Sequence, residues 1–319
     1  MKAIRGWALF ALIGLSSVSG CGDDSAEPAD SSGNSSSTGA GQRRQAPGGA
    51  PPEVSESVEI RVIDLGAEPR SELTYDFESG QKETMVMDLV LSRTSEANGV
   101  EESLELPLTR IFLDVAVRQI EPSGLYRIGV EITSYEVLPE AGQDPKITSE
   151  TRQAYQGLPG IAGIVVIDEH GVSQSVDLQL PAQATPQVRQ MIDSIKQSLR
   201  QILIAFPEES IGVGGRWVVQ STGRFQGMGF EQVTTYTLHT AGEGQVRLSL
   251  DVSMETGRQT LRPGVELLNL QAKGTGFYNF GLDEMVPQSE MQVSWTMDVD
   301  ELGTEQKMVV TTKMSTHRQ

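Results

Sequence analysis

The chain has 319 residues, a formal net charge of −18, three histidines and a single cysteine. The strong negative charge argues against nucleic acid as a partner and against peripheral adhesion to anionic lipid. One cysteine excludes a disulfide within this chain, and three histidines leave little material for a transition-metal site. The length beyond residue 57 is sufficient for one large domain or two lobes, stabilised by a hydrophobic core.

The N-terminus has the pattern of a bacterial export signal. Lys2 and Arg5 precede nine uncharged, mostly apolar residues, 7–15 (WALFALIGL), which are too few for the about 20 that a bilayer-spanning helix needs. Residues 18–21 (VSGC) resemble the lipobox of bacterial lipoproteins, in which a peptidase cleaves before a cysteine that already carries diacylglycerol. We therefore predict a signal peptide at residues 1–20 and lipidation of Cys21. The alternative is a free cysteine in an ordinary signal peptide or its cleavage region.

Lipidation of Cys21 implies a membrane anchor. At about 0.8 kcal/mol per buried methylene, two or three acyl chains hold a protein on the membrane for practical purposes permanently. In Gram-negative lipoproteins an aspartate directly after the cysteine signals retention in the inner membrane, whereas this chain has Gly22 there, followed by Asp23 and Asp24. The resemblance thus implies a lipid-anchored protein of the cell envelope, in the outer membrane of a Gram-negative bacterium.

Composition divides the rest of the chain into a linker and a domain. Residues 22–57 are dense in serine, glycine and proline and almost lack large apolar residues. Such a segment cannot bury enough surface to offset the entropy lost on ordering. We predict a lipidated, disordered N-terminal segment at 21–57 and a β-rich globular domain at 58–319.

The domain shows mostly the period-two alternation of half-buried antiparallel strands. It is clearest at residues 246–254 and recurs at 111–117, 126–132, 172–178, 293–299 and 308–314, with turn residues at 121–124, 168–171, 241–244 and 301–304. Gly274 and Gly276 fall on an otherwise apolar strand face, where glycine marks a bulge or a sharp bend. The predicted fold class is α+β, mostly antiparallel β, with a curved sheet or half-barrel of two β-meanders.

Residues 186–206 predict one long amphipathic helix. Thr185 is a suitable N-cap, Pro186 suits the first turn, and Pro207 ends the pattern. The apolar residues recur at helical spacing in one stripe: Val188, Met191, Ile192, Ile195, Leu199, Ile202, Leu203 and Phe206. Only three basic residues line the opposite face, so packing on the sheet is favoured over a position on a membrane surface.

A short internal echo links the two halves of the domain. Residues 124–132 (GLYRIGVEI) align at an offset of 120 with residues 244–252 (GQVRLSLDV). Duplication of a β-meander would explain this likeness, and so would chance similarity between two amphipathic hairpins. The sequence leaves both explanations open.

Two short segments, one rich in glycine and one rich in acidic residues, resemble ligand-binding loops. Residues 212–217 (GVGGRW) lack the third glycine of a dinucleotide fingerprint and the Lys-Ser/Thr of a phosphate loop, so they predict a turn that leads into a strand. Residues 298–303 (DVDELG) place carboxylates at the first and third positions of a calcium loop. Leu302 and Val309 stand at its fifth and twelfth positions, so a hairpin turn is favoured.

The cluster Asp168, Glu169 and His170 offers acid, base or metal-ligand chemistry, but it lies between two predicted strands where polar turn residues are expected. No histidine has an identifiable carboxylate and nucleophile partner, and there is no Gly-x-Ser-x-Gly elbow. We therefore predict no catalytic, cofactor-binding or metal residues, no cofactor and no enzymatic activity.

A second resemblance extends over most of the domain. Residues 157–181 (GLPGIAGIVVIDEHGVSQSVDLQLP), the amphipathic segment and residues 206–219 (FPEESIGVGGRWVV) resemble a family of uncharacterised bacterial lipoproteins with a domain of unknown function. Residues 73–81 (LTYDFESGQ) resemble the opening strand of that family. The chain departs from the pattern at Ile211 and Gly212, where valine-rich positions usually fall. The resemblance implies a fold and a location but no mechanism.

Two functions remain open. The first is a non-enzymatic envelope lipoprotein whose β-domain binds a partner protein or an envelope polymer, or serves structurally. The second is a carrier of a hydrophobic molecule or lipid, since a half-barrel covered by an amphipathic helix is the architecture of lipoprotein and lipid carriers. Eight methionines would suit a deformable apolar cavity: Met85, Met87, Met191, Met285, Met291, Met297, Met308 and Met314. An apolar cavity of several hundred Å³ would favour the carrier, and a packed interior the binder.

Overall fold

The computed structural model describes residues 58–180, 195–225, 228–242, 244–262 and 264–319. The predicted signal peptide, Cys21, the linker and residues 181–194 lie outside this part of the chain. The lipidation site and the first half of the predicted helix therefore stay predictions.

Fourteen strands and two short helices make up the described chain. The first half contains β1 (Val58–Asp64), β2 (Lys82–Ala97), β3 (Val100–Glu105), β4 (Leu108–Ile120), β5 (Tyr126–Leu138), helix α1 (Pro145–Tyr155), β6 (Ala162–Ile167) and β7 (Ser173–Gln179). A helical segment, α2, covers residues 195–200. The second half contains β8 (Arg216–Phe225), β9 (Met228–Gly242), β10 (Gln245–Thr256), β11 (Gln259–Arg262), β12 (Val265–Gly281), β13 (Gln288–Glu301) and β14 (Thr304–Arg318).

All of these strands belong to one antiparallel sheet. Its order is β1-β8-β9-β10-β12-β13-β14-β2-β4-β5-β6-β7, with β3 paired to β2 and β11 paired to β12. Two meanders, β2 to β7 and β8 to β14, join where β14 pairs with β2. The edge strands β1 and β7 do not pair with each other, so the described sheet is open rather than a closed barrel. The mostly antiparallel architecture with two β-meanders is confirmed.

The internal echo corresponds to two equivalent hairpins. Each copy starts at a glycine with positive φ: Gly124, at 87°, stands two residues before β5, and Gly244, at 75°, stands directly before β10. The register of the β4–β5 pair shifts just before Ile128, and that of the β9–β10 pair shifts just before Leu248. These two irregularities occupy the same place once the offset of 120 residues is applied. Because bulges are specific features that disrupt a ladder at one point, the shared position favours duplication.

Helix α1 was not predicted, although its start carries a clear signal. The Asp144 side chain accepts a hydrogen bond from Lys146 N, and Pro145 occupies the first turn. The buried face of the helix consists of Thr148, Thr151 and Tyr155. Two of these three residues are polar, so the segment shows no apolar stripe in the sequence.

The predicted helix over 186–206 is wrong at its C-terminal end, and the long helix as a whole is not supported. α2 ends at residue 200, and a turn follows. Ile204 N then donates to the Tyr75 hydroxyl at 3.1 Å, and Phe206 N donates to His170 O at 2.8 Å. The backbone N–H groups that a longer helix would use therefore form hydrogen bonds with distant parts of the fold.

The amphipathic pattern nevertheless predicted which residues are buried. Ile195, Leu199, Leu203 and Phe206 are all buried, although the last two lie beyond α2. The hydrophobic effect depends on apolar area removed from water and not on backbone conformation. The same pattern therefore remains informative about the core where it misassigns the helix.

Residues 73–81, which resemble an opening strand, do not join the sheet. Leu73, Tyr75 and Phe77 are buried in strand-like alternation. Tyr75 N donates to Glu169 O at 2.8 Å and Asp76 N to Leu282 O at 3.0 Å. This segment therefore crosses one end of the sheet and ties the turn after β6 to the turn after β12.

Gly274 and Gly276 allow a close approach of two strands rather than a bulge. The β12–β13 register runs without interruption past both residues. A Cβ atom at Gly274 would lie 2.8 Å from Gln292 O, and one at Gly276 would lie 2.7 Å from Glu290 O. Side chains at either position would push β13 away, so these glycines permit the tight packing of the curved sheet.

Candidate ligand cavity

A cavity of about 300 Å³ lies between the sheet and the α2 segment. Nine strands contribute to its lining: β2, β4, β5, β7, β9, β10, β12, β13 and β14. Ile195, Leu199 and Ile202 contribute from α2 and the turn that follows it. Because strands from both meanders line one cavity, the sheet must curve around it.

The lining is mostly aliphatic, aromatic and thioether in character. Leu113 and Ile132 come from the first meander, and Leu250, Ala272 and Trp295 come from the second. Four of the methionines expected to suit a cavity line it: Met85, Met87, Met291 and Met314. Met285, Met297 and Met308 are buried in the packed core, and Met191 lies outside the described residues. Met254 also lines the cavity, which the sequence analysis did not identify.

Several polar groups on the cavity wall are paired with one another. The Ser289 and Thr316 hydroxyls lie 2.7 Å apart, and Thr316 also donates to Pro287 O. Gln232 Nε2 donates to Gln201 Oε1 and to Thr234 Oγ1. These groups therefore have their hydrogen-bonding needs met within the protein.

Two tyrosines on the wall differ from this pattern. Tyr236 and Tyr278 line the cavity, and no hydrogen bond to either hydroxyl occurs among the described residues. Burial raises the pKa of Tyr278 to about 12. Burial raises the pKa of Tyr236 further, and the neighbouring Tyr278 adds to that shift. Both phenols are therefore neutral near pH 7 and available as hydrogen-bond donors.

Charge is nearly absent from the cavity. Among the described residues that line it, Glu131 is the single acidic or basic side chain, and Glu131 is exposed to solvent. The described lining contains no lysine, arginine or histidine. A buried ionised group would find no opposite charge here, and its desolvation would be costly.

An aromatic cluster closes the end of the sheet beyond the cavity. Trp217 is fully buried, and its ring lies 5.4 Å from Tyr236 and 6.1 Å from Phe206. Trp217 Nε1 donates to Ala205 O at 2.9 Å. The Tyr75 ring lies 5.2 Å from that of Phe206 at a tilted angle, and its hydroxyl donates to Ile204 O. Trp217 and Tyr75 therefore hold the segment after α2 in place.

In the cluster Asp168, Glu169 and His170, the structure shows what the carboxylate of Asp168 does. Its Oδ1 accepts hydrogen bonds from His170 N and Val172 N, and its Oδ2 accepts one from Gln174 Nε2. The carboxylate thus caps the turn between β6 and β7. The side chain of His170 is largely buried, and its Nε2 lies 3.7 Å from the Glu72 carboxylate.

The two segments that resemble ligand-binding loops, 212–217 and 298–303, are turns in the structure. Gly212 N donates to Leu65 O, and a Cβ atom at Gly212 would lie 1.8 Å from Ala67 O, so this turn packs against the chain after β1 and leads into β8. Asp300 Oδ1 accepts from Gly303 N in the β13–β14 hairpin. No group of three or more histidine, cysteine, aspartate or glutamate side chains in the described residues has a metal-binding arrangement.

Neither helix in the described part of the chain combines the length and the apolar character that crossing a membrane requires.

The fold and the cavity define a class of protein: an open antiparallel β-sheet that curves around an apolar cavity. The model of a family of unknown function, DUF6263, matches residues 183–284. This range starts ahead of α2, ends just after β12, and is narrower than the resemblance expected from residue 73 onward. A comparison with the curated proteins found no match. The matched family is of unknown function, which agrees with the uncharacterised family that the sequence resembles. The match does not bear on lipidation of Cys21, which stays a prediction.

Proposed function

We propose that this chain is a non-enzymatic envelope lipoprotein that is anchored through Cys21 and carries a hydrophobic molecule in the cavity of its β-rich domain. The cavity of about 300 Å³, with its mostly apolar wall, is the observation that carries the proposal. Its volume is at the lower end of the range for small-molecule sites. The N-terminal lipobox resemblance supports the anchor, and Gly22 after the cysteine supports the outer membrane.

The sequence alone ranks a binding or structural role above a carrier role, and the cavity reverses that order. A structural domain gains stability from a packed interior, because an apolar void loses the dispersion contacts that atoms would make there. A sheet that keeps such a void at the meeting point of its two meanders forgoes that stability. Binding of a hydrophobic molecule would restore the contacts.

Filling the cavity provides the first test. Ala272 is buried on the cavity side of β12, so Ala272→Phe would place a ring inside the void. We expect the affinity for the fluorescent hydrophobe N-phenyl-1-naphthylamine to fall at least tenfold. The measurement is a fluorescence titration of the purified full chain carrying Cys21→Ser, which has no thiol to acylate.

The matched control is Gln271→Phe, because Gln271 is the neighbouring residue of the same strand and is exposed on the opposite face. It should leave the dye affinity within twofold of the parent. If overpacking prevents Ala272→Phe from folding, Val252→Phe on the adjacent strand β10 offers the same obstruction. Equal dye affinities in the folded cavity variant and the control would refute the carrier proposal.

The turn residues supply a test of the non-enzymatic assignment. His170 does not line the cavity, and replacing its imidazole removes no ligand contact that the proposal requires. We expect His170→Ala to bind the dye within twofold of the parent. Because the ring is largely buried, the variant should lose about 1 kcal/mol of folding stability. Turnover of any substrate that His170→Ala abolishes with folding intact would make Asp168, Glu169 and His170 a catalytic site.

A further inference from the structure

The two tyrosines on the cavity wall point to the chemistry of the ligand. Tyr236 pairs with Leu250 across the β9–β10 ladder, and Leu248 pairs with Tyr278 across the β10–β12 ladder. Residues directly opposite in antiparallel strands project from the same face, so both phenols flank β10 on its cavity side. Two strand spacings put their backbones about 10 Å apart. A ligand that lies in the cavity beside β10 can therefore contact both phenols.

The Tyr236 and Tyr278 hydroxyls, which have no hydrogen bond among the described residues, differ from those of the other tyrosines. The sequence has six tyrosines. Three of the others donate to backbone carbonyls: Tyr75 to Ile204 O, Tyr126 to Tyr75 O and Tyr135 to Arg152 O. Tyr155 is hydrogen-bonded to the Thr109 side chain. Tyr236 and Tyr278 are half-buried, and their hydroxyls are not among the fully enclosed polar atoms, so they open onto the cavity and a ligand there can supply the partner.

The charge of the cavity wall restricts the class of ligand further. A neutral phenol is a stronger hydrogen-bond donor than acceptor, so the favoured ligand group is an acceptor. An anionic acceptor would need a compensating cation, and the described lining has none. A neutral acceptor such as an ester carbonyl has no such requirement.

We propose that the cavity selects uncharged, mostly apolar molecules that carry a carbonyl-type acceptor, and that the Tyr236 and Tyr278 hydroxyls bind this acceptor. This inference rests on the proposed carrier function and specifies its ligand class. Aliphatic and thioether side chains hold the apolar part of the molecule, while the two phenols fix its polar end. Ionised fatty acids of equal chain length are discriminated against.

The test compares two molecules that share a C10 acyl chain and differ in their polar end. Methyl decanoate and decanoate are each used at pH 8 to displace N-phenyl-1-naphthylamine from the full chain carrying Cys21→Ser. The same titrations are run on the Tyr236→Phe/Tyr278→Phe double variant, which keeps both rings and removes only the hydroxyls. We expect methyl decanoate to displace the dye at about tenfold lower concentration than decanoate. In the double variant the ester should require about tenfold more, as the loss of one or two hydrogen bonds predicts.

The dye separates failure of this inference from failure of the carrier proposal. It has no carbonyl, so its own affinity should change less than twofold in the double variant. Absence of dye binding to the parent would overturn the carrier function, and the ligand class with it. Dye binding with unchanged displacement by the ester in the double variant would overturn the role of the tyrosines alone. Displacement by decanoate as effective as that by the ester would overturn the selection for uncharged ligands.

Discussion

Cys21→Ser should abolish incorporation of a palmitate analogue completely and leave an unprocessed precursor. No other residue of the chain has a thiol, so nothing can replace Cys21 as the acceptor of the thioether. Loss of all acyl chains removes the anchor, since at about 0.8 kcal/mol per methylene those chains supply the membrane affinity. The measurement is metabolic labelling in cells, followed by in-gel detection and separation of membrane and soluble fractions.

Asp23→Ser is the matched control for this experiment. It changes a residue two positions further along and keeps Cys21, so labelling and membrane association should equal those of the parent. Acyl label on the Cys21→Ser protein would show that the anchor lies elsewhere and that the lipobox resemblance is misleading.

The largest effect on folding is expected from Trp217→Ala. This side chain is fully buried between Phe206 and Tyr236, and its indole N–H is bonded to Ala205 O. Truncation leaves a cavity and an unpartnered carbonyl, and comparable losses of a buried tryptophan cost about 3–5 kcal/mol. That is a large share of the about 5–15 kcal/mol by which folded domains are stable. Urea denaturation followed by circular dichroism measures the change.

Arg216→Ala on the same strand provides the comparison. Arg216 is exposed and precedes Trp217 directly, so its loss should change the free energy of unfolding by no more than about 0.5 kcal/mol. Similar urea midpoints for the two variants would contradict the aromatic cluster as a stabilising element.

The candidate cavity could not be predicted beyond its general character. Met85, Met87, Met291 and Met314 were correctly suspected as cavity residues, while Met297 and Met308 turned out to fill the core. Methionine alone cannot distinguish these outcomes, because it suits both an open cavity and an irregular packed interior. Tyr236 and Tyr278 were not predicted as cavity residues, because the absence of a hydrogen-bond partner is visible only in the folded protein. The one available signal was their place on the apolar side of alternating strands.

Local periodicity was sufficient to predict six of the fourteen described strands, β4, β5, β7, β10, β13 and β14, with four of the hairpin turns and the burial of residues such as Ile195 and Phe206. Alternation and apolar spacing reflect which face of the chain meets the core. The end of α2 was decided by tertiary structure: the Tyr75 hydroxyl and His170 O take the backbone N–H groups of Ile204 and Phe206, and both partners are remote in sequence. The same holds for the cavity. Its wall combines strands of both meanders, and their pairing at β14 and β2 joins residues about 200 positions apart, a relation that no local pattern contains.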